Sequence, residues 1–148
     1  MLPNDESLGF FVRNIAHALY YMGEERLRAL HITHQQGRLL LVIYQMNQRG
    51  SVMSRKTLEN TMHLRGPTVT SLINGLEKHG YIARSVRADD GRAKTLVVTE
   101  KGLELVKTVR AVFQESEKQL LHSLTPRERD TILRLLGKVS HNLPDEIK

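Results

Sequence analysis

The strongest constraint in this sequence is a single change of apolar period. Val69, Leu72, Ile73 and Leu76 fall at i, i+3, i+4 and i+7, the spacing of one helical stripe. Gly80 marks the end of that helix. Tyr81–Arg87 and Lys94–Val98 then read as strands, with the turn dipeptide Asp90-Gly91 between them. Every other apolar segment keeps the helical period. One hairpin among helices leaves no strands for a sandwich, a barrel or a parallel sheet, so the chain is mainly α with a small β-hairpin.

The other helices carry physical markers at their ends. Leu8, Val12, Ile15, Leu19 and Met22 form a stripe on a first helix expected over Glu6–Ala29. Thr33-His34-Gln35-Gln36 has the T-x-x-Q form of a capping box and opens a second helix that stops near Gly50. Ser54 is a good N-cap for a short third helix with Leu58, Thr61 and Met62 inward. After a break at His63-Leu64-Arg65, Gly66-Pro67 starts the fourth, because proline lacks only an N–H that has no partner there. Thr99 caps a long fifth helix with Leu103, Val106, Val109, Phe113, Leu120 and Leu121 along it. Thr125-Pro126-Arg127-Glu128 is a second capping box, opening a sixth helix with Ile132, Leu135, Leu136, Val139 and Leu143 in helical spacing.

The middle, 34–99, reads as a compact unit, whereas 1–32 and 100–148 carry long apolar faces outside it. Those faces are expected to pack on one another and on a second copy of the chain, forming a dimerisation region. A monomeric helical bundle is the simpler alternative.

Charge points to the partner. The 148 residues carry 22 Lys and Arg against 16 Asp and Glu, a formal net charge of +6, which favours polyanions. Arg84, Arg87, Arg92 and Lys94 gather around the hairpin, and Arg65 precedes the fourth helix. No apolar run approaches a membrane span, and the acidic N-terminus is unlike an export signal. With no cysteine, disulfides, thiolate zinc sites and thiol redox sensing are excluded. A cytoplasmic protein is expected.

Two helices joined by a short break describe a helix-turn-helix, whose second helix enters the major groove of DNA. If Val69, Leu72, Ile73 and Leu76 face the core, the opposite face presents Pro67, Thr70, Ser71, Asn74 and Lys78. These short polar groups can approach base edges, asparagine pairing with adenine and a threonine methyl touching a thymine methyl. Thr68 and Ser54 start helices whose free amides suit phosphate. Arg55, Lys56 and Arg65 are candidate phosphate partners, which position without specifying sequence. The hairpin tip, Ala88–Ala93, projects Arg92 toward a minor groove, with Asp90 able to fix an arginine rotamer and Arg87 and Lys94 beside it. The fold class is thus a winged helix-turn-helix.

On these stretches the chain resembles the MarR family of bacterial and archaeal transcriptional regulators along nearly its whole length. The resemblance rests on Thr33-His34-Gln35-Gln36, on Gly66-Pro67-Thr68-Val69-Thr70, and on Leu76-Glu77-Lys78-His79-Gly80-Tyr81-Ile82 (LEKxGxI). It rests also on Asp90-Gly91-Arg92 running to Val98-Thr99-Glu100-Lys101-Gly102 (DxRxxxxxLTxxG, with Val98 in place of the usual leucine). The resemblance implies a homodimer joined by its first, fifth and sixth helices on a pseudo-palindromic duplex site. It implies Arg92 as the minor-groove arginine oriented by Asp90, and Thr68, Thr70, Ser71 and Asn74 at base-reading positions. It further implies repression relieved by a small aromatic or phenolic effector.

Phe11, His17, Tyr20 and Tyr44, with Phe10 and Tyr21 nearby, supply groups for an effector pocket. Glu24, His31 and His34 meet near the first interhelical turn, but His/Glu pairs at i, i+3 or i+4 on one helix are lacking. Neither metal nor cofactor is expected. No nucleophile–base set or phosphate-binding glycine motif points to an enzyme. A winged helix that binds protein instead of DNA is the alternative, but it would need an apolar anchor on the reading face.

Overall fold

A computed structural model describes residues 7–51, 53–87 and 90–145. The elements are α1 (Leu8–Leu27), α2 (His34–Arg49), α3 (Arg55–Met62), α4 (Gly66–Lys78), β1 (Ile82–Arg87), β2 (Asp90–Val98), α5 (Glu100–Leu120) and α6 (Pro126–Ser140). The mainly helical class with one antiparallel hairpin is the one expected.

The caps set the boundaries. Thr33 Oγ1 accepts from the Gln36 N–H at 3.1 Å, and Gln36 Oε1 accepts from the Thr33 N–H at 3.0 Å. Thr125 and Glu128 repeat the box. Those bonds hold the Glu128 carboxyl below its usual range, the Thr125 backbone N–H being the larger cause. The first helix starts later than expected, because Ser7 caps it by accepting from the Phe10 N–H; Glu6 lies outside the described residues. It also stops earlier: Arg28–Leu30 tighten into a 3-10 turn ending at His31, which is left-handed at φ 58°. Gly80 sits at φ +79°. There its N–H donates to the Glu77 carbonyl and the Tyr81 N–H to the Leu76 carbonyl, the two closing bonds of a Schellman end.

The core is continuous across the chain. Leu27, Leu39, Leu40, Ile43, Leu58, Met62, Val69, Leu76 and Ile82 are sealed from solvent, and Leu105, Val106 and Val109 of α5 join them. Thr61, expected inward, is exposed; Leu58 and Met62, at i and i+4, already fill that stripe of α3. On α5 the inner stripe runs through Leu105, Val106 and Val109, while Leu103 is turned outward.

In the hairpin, Ile82 pairs with Val98 and Val86 with Lys94 in regular register, and Arg87 then pairs with Asp90. Asp90 and Gly91 therefore lie in β2, not in the turn between strands. Ala88 and Asp89 lie outside the described residues, as do the side chains of 86–94.

Candidate nucleic-acid interface

The reading head is built from α3, α4 and the hairpin. His63, left-handed at φ 54°, ends α3 with its N–H on the Asn60 carbonyl, and Leu64 donates to the Glu59 carbonyl. The chain then re-enters a helix at Gly66 within three residues. The ends of the Glu59 and Arg55 side chains lie over Gly66, where a Cβ would make them shift. Arg55 is thereby held against the first turn of α4. No side chain caps that turn, and Pro67 occupies it. Its uncapped amides carry the positive dipole end, and Arg55 and the Glu59 carboxylate both lie beside it.

The amphipathic split of α4 is sharp. Val69, Ile73 and Leu76 are buried, with Leu72 packed on the core. Pro67, Thr68, Ser71, Asn74 and Lys78 are exposed along the other side. Thr70 differs from them. It is half-buried and lines a hollow of about 260 Å³ between α3, α4 and the hairpin, with Ser54, Arg55 and Arg84. Lys56 and Arg65 are exposed and share the surface beside the α3–α4 turn. The Ser54 hydroxyl caps α3 as expected, accepting from the Thr57 N–H at 3.0 Å. The strands carry the backbones of Arg87, Asp90, Arg92 and Lys94 on the hairpin beyond α4; their side chains lie outside the described residues. Arg84, expected near Arg87, Arg92 and Lys94 around the hairpin, donates from its Nε to Glu77 at 3.1 Å.

A second cavity, of about 540 Å³, lies between α1, α2 and α5. Leu19, Tyr20, His34, Arg38, Phe113 and Glu117 help to line it. The His34 ring stands between Tyr20 and Phe113, at centroid distances of 4.9 and 5.1 Å. Its Nδ1 is buried without a hydrogen-bond partner. Burial first, and then the Arg38 charge, lower the His34 pKa below 6.5, against the opposing pull of Glu24. Arg38 is itself lowered by burial, and a guanidinium so shifted remains a cation. Of the four residues expected at an effector pocket, Tyr20 alone lines this cavity. Phe11 and His17 are exposed on α1, and Tyr44 lies on another surface under Arg110. Sequence reasoning missed Arg38 and Phe113, although Phe113 sat on an expected apolar stripe. Among the described residues, no cluster of three His, Asp or Glu could hold a metal. No helix among them is long and apolar enough to cross a membrane.

A short two-helix turn followed by an antiparallel hairpin defines a winged helix-turn-helix protein. A model of the MarR family matches residues 32–93. MepR of Staphylococcus aureus, in complex with DNA, is 28% identical with a TM-score of 0.78, over 95% of this chain and 99% of that one. Another MepR structure, described as a transcription regulator of the multidrug efflux pump MepA, is 27% identical with a TM-score of 0.69, over 93% and 99%. CouR from Rhodococcus jostii RHA1, bound to p-coumaroyl-CoA, shares the fold with a TM-score of 0.78 at 15% identity, over 95% and 96%. Residues 32–93 thus match the MarR family, and the chain is similar over nearly its whole length to MepR, a transcription regulator.

Proposed function

We propose that this protein is a sequence-specific DNA-binding regulator, acting as a homodimeric repressor on a pseudo-palindromic operator in the cytoplasm, and not an enzyme. The observation that carries the reading is the free face of α4. Thr68, Ser71, Asn74 and Lys78 stand exposed beside an uncapped, arginine-flanked helix start. No large apolar side chain lies among them to anchor a protein partner. Ser71 and Asn74 read base edges in the major groove, and Lys56, Arg65 and the α4 amides hold phosphates. Arg92, oriented by Asp90, extends the contact into the minor groove. MepR, similar over nearly all of this chain, was crystallised on DNA.

The dimer follows from the apolar faces that one chain leaves uncovered. No residue of α6 is buried, and Leu133, Leu135, Leu136 and Val139 are all exposed, as are Leu8, Phe11, Val12 and Ile15 of α1. We take 1–32 and 100–148 as the dimerisation region and 34–99 as the DNA-binding unit. A small aromatic or phenolic effector enters the cavity lined by Tyr20, His34 and Phe113 with its polar group toward Arg38, in a space of suitable size, and releases the DNA.

The test is selection of genomic fragments by the purified protein, followed by binding of Asn74→Ala to the selected duplex and to random duplex. Asn74→Ala is expected to weaken the selected duplex about tenfold and random duplex hardly at all, as loss of a base contact does. Equal losses on both would end the base-reading assignment.

A further inference from the structure

Among the described residues β2 pairs with β1 alone, so one of its edges has no strand partner there. Asn47, in the last turns of α2, lies on that edge. Its Nδ2 donates to the Leu96 carbonyl at 2.9 Å, and its Oδ1 accepts from the Val98 N–H at 3.0 Å. A carboxamide offers a donor and an acceptor much as a peptide group does. Asn47 thus occupies the place of a third strand's peptide and satisfies two groups that the open edge would otherwise leave unpaired.

The position of the hairpin depends on such ties, because a two-stranded hairpin is at best marginally stable alone in water. Ile82 and Leu96 bury their side chains in the core at its base. The Arg84–Glu77 pair on β1 is largely solvated and contributes little rigidity. The Asn47 bonds are partly buried and meet less competition from water. They also join sequence-distant elements: α2, whose first two turns carry His34 and Arg38 at the interhelical cavity, and β2, the second strand of the hairpin. Along α2 the two ends are about 20 Å apart.

We propose that Asn47 is a positioning residue for DNA binding: its carboxamide splints the outer edge of β2 and fixes the hairpin's reach relative to α4. The inference rests on the reading of the hairpin as a DNA contact. It gives α2 a second job, because a tilt imposed at the His34–Arg38 end is carried by Asn47 to the hairpin. Asn47 touches no DNA in this account and acts through the strand.

The experiment is a double-mutant cycle with Asn47→Ala and Arg92→Ala on the full chain, using the duplex recovered by genomic selection, at several salt concentrations. Asn47→Ala is expected to weaken binding about tenfold, the effect of losing two partly buried hydrogen bonds. It should also flatten the salt dependence, as Arg92→Ala does when one cation leaves a groove. In the Arg92→Ala background the further loss should be less than about twofold, because the two residues act through one contact. Asn47→Gln, which keeps the carboxamide on a longer stem, should recover part of the loss. Should the alanine variant not fold, Asn47→Leu, of similar outline, takes its place in the cycle. Wild-type affinity and salt slope for the Asn47 variant, or losses that multiply in full with those of Arg92→Ala, overturn the splint. If Arg92→Ala alone leaves affinity and slope unchanged, the hairpin is no DNA contact, and the inference falls with that reading.

Discussion

Arg84 on β1 reaches back to the last turn of α4, where its Nε lies 3.1 Å from Glu77 Oε2. The two side chains stay 46% and 37% exposed, so the pair contributes no more than about 1 kcal/mol to stability. Its larger effect is on charge: the only carboxylate of α4 neutralises a cation next to the proposed DNA face. Glu77→Gln should release Arg84 while leaving the fold intact. Binding to random duplex is expected to tighten about threefold at low salt, and the salt slope to steepen by up to about one. Fluorescence anisotropy at several salt concentrations measures both. Unchanged affinity and slope would place Arg84 away from the phosphates.

Gly102, in the first turn of α5, packs directly under the Tyr81 carbonyl. A Cβ there would collide with that backbone oxygen and with the Val98 side chain. The glycine closing the Asp90–Gly102 motif is thus a steric requirement for seating α5 on the end of the hairpin. Gly102→Ala must displace backbone, and is expected to lower stability by about 2 kcal/mol or more in urea denaturation. A variant as stable as the parent would show that α5 can shift without cost.

The local features of this fold were legible because they are decided within a few residues. The Thr33 and Thr125 boxes and the Gly80 end depend on side chains three or four positions away. So does the buried stripe Val69, Ile73 and Leu76, which leaves the polar face of α4 free by subtraction. What depends on helix crossing was less legible. Tyr44 and Tyr20 look alike in sequence, yet the packing of α1, α2 and α5 sends Tyr20 to the cavity and Tyr44 beneath Arg110. Arg38 gave no signal, because an arginine on a helix is usually solvated. Asp90-Gly91 suggested a turn by composition, but both residues lie in β2, with Asp90 paired to Arg87.

His34 gives the α1–α2 junction a pH dependence of definite sign. Its folded pKa lies below the ordinary 6.5, so between the two values the unfolded chain binds more protons. Stability from neutral His34 is fully present above pH 6.5 and is lost as pH falls through the folded value. Glu24, whose Oε1 accepts from the His34 backbone N–H at 2.6 Å, and Arg38 are the charged groups that act on it. Chemical denaturation between pH 5 and 8, an interval spanning the ordinary value, should show stability falling on the acid side. His34→Phe should lessen that fall. Parallel pH profiles for the two proteins would remove His34 as the cause.

The exposed faces of α1 and α6 make a prediction about assembly. Leu133, Leu135, Leu136 and Val139 are 52%, 46%, 43% and 45% exposed on one helix, far more apolar surface than a monomeric helix needs to leave in water. In a dimer these positions lie in a dry interface, where a carboxylate without a partner is strongly unfavourable. Leu136→Glu is therefore expected to shift the protein from dimer to monomer at micromolar concentration, as read by sedimentation or light scattering. Under the proposal that two linked reading heads bind two half-sites, the monomer should also lose about a hundredfold or more in affinity for the selected duplex. Retained helicity in circular dichroism would establish that the fold survives the change. A Leu136→Glu protein that remains dimeric would mean that the second copy is held by some other face.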